Sequence, residues 1–469
     1  MEDTRFEARR ILDRLEFSSG WGLIKTLGCV VLASVAFVST GGTELTEAAR
    51  WTLFVATLAA GMWATEAIPA FAVALMVIGL LIAILGQPGG QLGREQAVWE
   101  PFAQTLGSPL IWLFFGGFVL AAAAGKTGLN RSLAREVLRR LGNRPGPLLA
   151  GSMGVTFVFS MFISNTAAAT MMIAVMTPVL APLARGDRFR RGMLLGIAFA
   201  ANIGGMGTVI GSPPNAIAAG ALREIDPIDF FRWMQAAVPP ALVTIVLTWA
   251  YLLYRYRPAV ERLDVAAFMN SDHPPELEVW RRLLVMGIFV VTIALWLSQA
   301  LHGIPSTVVA FLPICVFSAA GVLNGDDICA LRWDVLLLIA GGLSLGLAVT
   351  ETGLADWLVG SLPLDRVSAF AVVLLLAYVT TALSNLMSNT AAANILVPIG
   401  VVVGVGSEAA TVVPLAIGAS AAMCLPISTP PNAIAFGTGQ IPTRDLIEGG
   451  LWIGLLAPLL ATLWCSIVF

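Results

Sequence analysis

The sequence predicts an all-α polytopic membrane protein, with about eleven transmembrane helices and two re-entrant hairpins arranged as an inverted repeat. Three observations lead there. Of the 469 residues, 57% are hydrophobic and 12% charged, with a mean hydropathy of +0.84; a soluble domain carries roughly 25% charged residues, so much of the usual surface charge is missing. Apolar runs of bilayer length, about 20 residues, recur along the chain. The tripeptide Ser-Asn-Thr also occurs twice in apolar surroundings, at 164–166 and 388–390, each time followed by three alanines.

Taken in order, residues 1–20 form a charged amphipathic stretch, with Arg5, Arg9, Arg10 and Arg14 set among Leu12, Leu15 and Phe17. Such a segment is expected on the cytoplasmic membrane surface. The first apolar run, 21–40, has span length and no small-residue cleavage site. Further spans are expected near 50–68, 70–86, 108–127, 192–220, 235–254, 283–301, 306–323, 334–352, 412–438 and 446–468. The stretches 147–183 and 367–403 carry the Ser-Asn-Thr motifs at their middle, and each half is short for a crossing. Polar, non-helical backbone at membrane depth is tolerated only where protein buries it or water lines it, so each stretch is expected to enter and leave on one side.

The basic residues set the orientation. With the N-terminus inside, 22 of the 27 Lys and Arg residues face the cytoplasm, and Arg50, Arg94, Arg223, Arg232 and Arg366 face out. This is the positive-inside asymmetry of a multi-pass plasma (inner) membrane protein with its N-terminus cytoplasmic and its C-terminus outside. An internal repeat agrees. PLIWLFFGGFVLAAAAGKTGL at 109–129 aligns with DVLLLIAGGLSLGLAVTETGL at 334–354, an offset of 225; the Ser-Asn-Thr motifs are offset by 224 and two Pro-Pro-Asn-Ala motifs by 217. The expected organisation is the amphipathic helix 1–20, a first repeat at 21–254, a cytoplasmic linker at 255–282 and a second repeat at 283–469. Inverted repeats place a ligand at their interface, among discontinuous helices.

The chemistry follows from what is present and what is missing. Pro213-Pro214 and Pro430-Pro431 remove backbone donors inside apolar runs, and Ile203-Gly204-Gly205-Met206-Gly207-Thr208 weakens the first run further. A broken helix exposes carbonyls, which suit a cation, and amide hydrogens with a positive dipole end, which suit an anion. No Lys, Arg, His, Asp or Glu occurs in 152–183, 192–222, 367–407 or 409–443. An intramembrane proton relay or an arginine clamp therefore has no residue to use near the motifs. Neutral oxygens fit a hard monovalent cation, which favours sodium coupling. Cys29, Cys315, Cys329, Cys424 and Cys465 have no paired spacing, and His273 and His302 are isolated, so no metal cluster or disulfide is expected. One Ser-Asn-Thr alone would read as close packing of hairpin arms; two, each with its Pro-Pro-Asn partner, read as a site. Gly116-Gly117 and Gly341-Gly342 read as packing positions. Glu66 is the most interior-looking acid, and both an interfacial role and a coupling role stay open for it.

Ser160-x3-Ser164-Asn165-Thr166, Ser384-x3-Ser388-Asn389-Thr390, Thr65-Glu66-Ala67-Ile68-Pro69 and the two Pro-Pro-Asn-Ala breaks resemble the divalent anion:sodium symporter family over nearly the whole chain. The resemblance implies a homodimer whose mobile domain moves as an elevator against a scaffold. It implies sodium sites on Ser160, Ser164, Asn165 and Gly211, and on Ser384, Ser388, Asn389 and Ser428. It implies substrate contacts on Asn165, Thr166, Ser212, Pro213, Asn389, Thr390, Thr429 and Pro430. The second hairpin reads Ser384-Asn385 where the family often has threonine, a change that keeps the hydroxyl and is expected to keep the site. The chain length and the lack of long insertions resemble C4-dicarboxylate members. The expectation is sodium-coupled symport of a small dianion such as succinate, fumarate or malate. A sodium-independent exchanger of the same fold, a sulfate or citrate symporter and an anion channel are the alternatives. An enzyme is not expected, because no nucleophile, base or metal cluster lies near the motifs.

Overall fold

The computed structural model describes residues 21–87, 91–92, 99–184, 186–223, 225–263, 279–360, 368–404 and 407–469. Every regular element among them is helical. The first half contains α1 (Trp21–Ser39), α2 (Glu47–Thr65), α3 (Ala70–Ile84), α4 (Pro109–Lys126), α5 (Leu129–Leu141), α6 (Pro145–Ser160), α7 (Asn165–Leu180), α8 (Arg188–Gly205), α9 (Pro213–Ala221) and α10 (Phe230–Arg255). The second contains α11 (Val279–Leu297), α12 (Ser306–Ala319), α13 (Trp333–Glu351), α14 (Leu354–Gly360), α15 (Ala369–Leu386), α16 (Asn389–Val403), α17 (Glu408–Ser420), α18 (Pro430–Gly437) and α19 (Thr443–Val468). From α2 onward the order of elements repeats, α2 answering to α11 and so on to α10 and α19, while α1 stands ahead of the repeat. The stretch 1–20 and residues 264–278 of the linker lie outside the described residues.

Among the described residues, seven helical segments are long and apolar enough to cross a membrane: 22–39, 100–126, 230–255, 279–297, 333–351, 369–386 and 443–468. The other apolar helices are shorter, and the expected spans 192–220 and 412–438 are each two helices with an irregular segment between them. Helix length alone therefore does not give the expected eleven crossings. It also ranks α15, the first arm of the expected second hairpin, with the long helices.

Local chemistry explains where the helices begin. Asp187, Asp229, Ser368 and Ser407 hold extended backbone and accept a hydrogen bond from a backbone amide three residues on, capping α8, α10, α15 and α17. At the other end of α2, Glu66 adopts a left-handed backbone, φ 50°, and is exposed. Its apolar flanks make it look interior in the sequence; in the structure it terminates a helix at the surface and lies outside the candidate site.

The two halves interleave. α3 packs on α13, and α12 packs on α4. Glycine makes both contacts close. A Cβ on Gly116 would strike Ala310 of α12, and one on Gly341 would strike Ala74 of α3. Behind this frame α6 lies on α8 and α15 on α17, while α10 and α19 pack on each other. α1 and α10 present Leu23, Leu27, Val31, Val35 and Leu242, Val246 to the surroundings. Such contiguous apolar faces suit lipid and not water.

Charges pair within the sides that the basic residues assign. Arg191 meets the buried Asp445 at 3.0 Å, and Glu448 receives Arg444 at 2.7 Å and Arg255 at 3.2 Å, all on the expected cytoplasmic side. Lys126 pairs with Asp327 on that side too. The Asn324 backbone amide and then the Lys126 ammonium hold the Asp327 carboxyl below its usual range. On the expected outer side Arg232 meets Asp226 at 3.2 Å and lies over the ring of the C-terminal Phe469.

The glycine contacts make a prediction. Gly341→Val should destabilise the fold by about 1–3 kcal/mol, because backbone as well as the side chain of Ala74 blocks the added atoms. Gly125→Ala, where nothing lies within 4 Å, should leave the thermal unfolding midpoint unchanged or raised. Equal midpoints for both variants in detergent would contradict the close approach.

A candidate ligand site at four helix starts

Each Ser-Asn-Thr motif begins a helix. Ser164 and Ser388 are extended N-caps, and each hydroxyl oxygen accepts a backbone N–H at 3.2 Å, from Ala167 and Ala391. The asparagines that follow are thus the first residues of α7 and α16. Their side chains turn back onto the preceding helix. Ser160 Oγ lies 2.7 Å from Asn165 Oδ1 and 2.6 Å from the carbonyl oxygen of Ala201; Ser384 Oγ lies 2.9 Å from Asn389 Oδ1 and 2.8 Å from the carbonyl oxygen of Ala419. A hydroxyl has one proton and can satisfy one acceptor at a time. Each hinge therefore gathers three oxygens around a single hydrogen, a donor set that suits a hard cation.

The companion motifs begin helices as well. Pro213-Pro214 and Pro430-Pro431 occupy the first turns of α9 and α18, where a missing N–H costs nothing. The asparagine after each pair is fully buried and holds the break together. Asn215 Nδ2 donates toward the carbonyls of Gly205 at 2.8 Å, Thr208 at 2.7 Å and Met206 at 3.3 Å; Asn432 Nδ2 donates toward Met423 at 2.8 Å and Leu425 at 3.2 Å. Gly211 lies so near the Gly205 carbonyl that a side chain there would collide with it. Ser428 Oγ accepts the Leu425 amide at 3.2 Å and donates toward Asn385 Oδ1 at 3.3 Å, and that same oxygen accepts the Cys424 amide at 2.8 Å. Asn385 thus braces the second break. In the first, the Thr208 hydroxyl donates to the Met161 carbonyl instead.

The two breaks touch. Asn202 Nδ2 donates to Thr429 Oγ1 at 3.0 Å and toward Asn432 Oδ1 at 3.3 Å, and Ser212 Oγ lies 3.1 Å from Ser420 Oγ. α9 packs on α16 and α18 on α7. Four helix starts, at Asn165, Pro213, Asn389 and Pro430, therefore rise from one connected polar layer. Their positive dipole ends favour an anion. Thr166 and Thr390 are half-buried and their hydroxyls bond to none of the described residues, while Ser212 and Thr429 are 3% and 2% exposed and already engaged. The layer therefore unites all the expected site residues, but with unequal access.

Several members of the layer escaped the sequence analysis. The carbonyls of Ala201 and Ala419 carry no side-chain signature. Asn202 and Ser420 could have been noticed as polar residues in charge-free apolar runs, and Asn215 and Asn432 sit inside the duplicated motif itself.

A family model described as a citrate transporter matches residues 60–408. A sodium-dependent dicarboxylate transporter of Staphylococcus saprophyticus, SdcS, is 31% identical over 442 residues, 87% of this chain and 82% of that protein. Its namesake in Staphylococcus aureus is 30% identical over 449 residues, 88% of this chain and 84% of that one. The crystal structure of the Alcanivorax borkumensis YdaH transporter superposes with a TM-score of 0.58 at 16% identity, covering 85% of this chain and 98% of the other, a likeness of fold. The family match over most of the chain, with relatives that align over more than four fifths of both chains, means that the chain belongs to the family described by the citrate transporter model and to the divalent anion:sodium symporters that its paired motifs resemble.

Proposed function

We propose that the protein couples sodium to the uptake of a small dianion, a C4-dicarboxylate such as succinate, fumarate or malate, across the inner membrane. The observation that carries this reading is the pair of three-oxygen hinges beside four helix starts in a layer without an ionisable side chain. The names of the two staphylococcal relatives favour the same ion and substrate class. Sodium binds at Ser160, Ser164, Asn165 and Gly211 and at Ser384, Ser388, Asn389 and Ser428, with the Ala201 and Ala419 carbonyls as added ligands. The two positive charges offset the dianion. Asn165, Thr166, Ser212, Pro213, Asn389, Thr390, Thr429 and Pro430 then hold its carboxylates through amides, hydroxyls and helix starts. The N-terminus lies in the cytoplasm and the C-terminus outside, a reading supported by the pairing of charges within each side. α6–α7 and α15–α16 are the re-entrant hairpins, and with α8–α9 and α17–α18 they form a transport unit that moves as an elevator against α2–α4 and α11–α13. The protein works as a homodimer. Citrate is the second reading, favoured by the family model's description.

Proteoliposomes test the proposal. Labelled succinate should accumulate under an inward sodium gradient and not when choline replaces sodium. Equal uptake in both arms that requires internal succinate would instead identify an exchanger. Citrate that competes for uptake more strongly than succinate would reassign the substrate.

Substitution separates the site from the scaffold. Asn165→Ala and Asn389→Ala each remove a shared ligand of cation and anion, and uptake should fall at least about tenfold, as expected for the loss of a hydrogen bond to a charged group. Thr166→Ala should raise the half-saturating succinate concentration with little change in thermal stability, because its hydroxyl holds nothing else in place. Wild-type sodium-dependent uptake by the asparagine variants would remove the site assignment.

A further inference from the structure

The return arms of the two hairpins present equivalent faces to unlike surroundings. On α7, Ala167, Thr170, Ala174 and Thr177 line one face at helical spacing, and all four are exposed. The equivalent positions on α16, at the repeat offset of 224, are Ala391, Asn394, Pro398 and Val401; the first two are buried and the others half-buried. This part of α16 packs on α2 and α13, and Ala391 joins the apolar core of α2, α3 and α13. Asn394 lies over Gly342 of α13, close enough that a Cβ on the glycine would strike its amide oxygen. It is 1% exposed, and neither Oδ1 nor Nδ2 has a hydrogen-bond partner among the described residues. Thr170, its equivalent, is exposed and donates its hydroxyl to the Thr166 carbonyl at 2.7 Å. An Ala-Thr-Ala-Thr face also differs from the Leu and Val faces of α1 and α10.

One hairpin arm is thus seated on the frame and the other is free. Exchanging the two settings generates the opposite-facing state of an inverted repeat. An amide buried without partners destabilises the state that buries it, and water relieves this when the arm leaves. We propose that Asn394 is a positioning residue for transport: it weakens the seating of α16 on α13 and so keeps the second hairpin free to leave. The inference rests on the alternating-access reading above. Asn394 touches neither ion nor substrate in this role; it sets the balance between the two states.

The test uses the full-length protein in membrane vesicles with its native cysteines replaced. A reporter is introduced by Ala174→Cys, read from the cytoplasmic face, or by Val401→Cys, read from the outer face, each with an impermeant maleimide. The ratio of the two labelling rates reads the balance of states. Asn394→Leu keeps the volume without the amide and should shift the ratio about tenfold toward labelling at position 174, a change of ~1.4 kcal/mol. Thr170→Asn, on the exposed arm, penalises the opposite state and should shift the ratio in the same direction. An unchanged ratio in Asn394→Leu overturns the proposal. If that variant does not accumulate, an unchanged ratio in Thr170→Asn overturns it. A parent ratio that ignores sodium and succinate overturns the carrier reading instead.

Discussion

Everything in this molecule depends on holding polar groups at the centre of an apolar protein without a charged side chain among them. A bilayer supplies no water to backbone that leaves a helix, so each break must find its partners inside the protein. Asn215 and Asn432 provide them. Each directs its amide hydrogens at carbonyls freed by the break that precedes it, which keeps an irregular segment ordered at little cost in unpaired groups. With the breaks held open in this way, the proposed site uses helix ends for the part that lysine or arginine plays in water-exposed anion sites.

The second consequence concerns the proposed sites, in which cation and anion share ligands. Asn165 and Asn389 point their oxygens back at a serine and a carbonyl while their backbone amides start a helix. The same residue therefore offers acceptors on one side and a positive dipole end on the other. Coupling of this kind follows from proximity: filling the oxygen cluster with positive charge strengthens the field at the helix start a few ångströms away.

Much of this was legible in the chain. The motif pairs stood out because hydroxyl and amide residues interrupt long apolar runs twice in the same order, and most of the expected spans overlap an observed helix because the apolar runs mark them. The proline pairs marked the breaks, although they begin the second helix of each pair and do not kink a continuous one. Other features could not be read. The Ala201 and Ala419 carbonyls are backbone atoms, and any residue would supply them. The contact of Asn202 with Thr429 requires knowing that the halves interleave, which no local pattern carries. Glu66 looks interior from its neighbours, and of the two roles left open the exposed left-handed helix end fits the interfacial one.

The mutual notches, Gly116 against Ala310 and Gly341 against Ala74, bear on how the protein is made. Each half supplies one helix to a seam that the other half completes, so neither can finish its own frame. During synthesis the first half must wait in the membrane with α3 and α4 uncovered until α12 and α13 emerge. The seam is therefore among the last long-range contacts to close, and a chain interrupted between the halves leaves two lipid-exposed pieces, each holding the complement of the other.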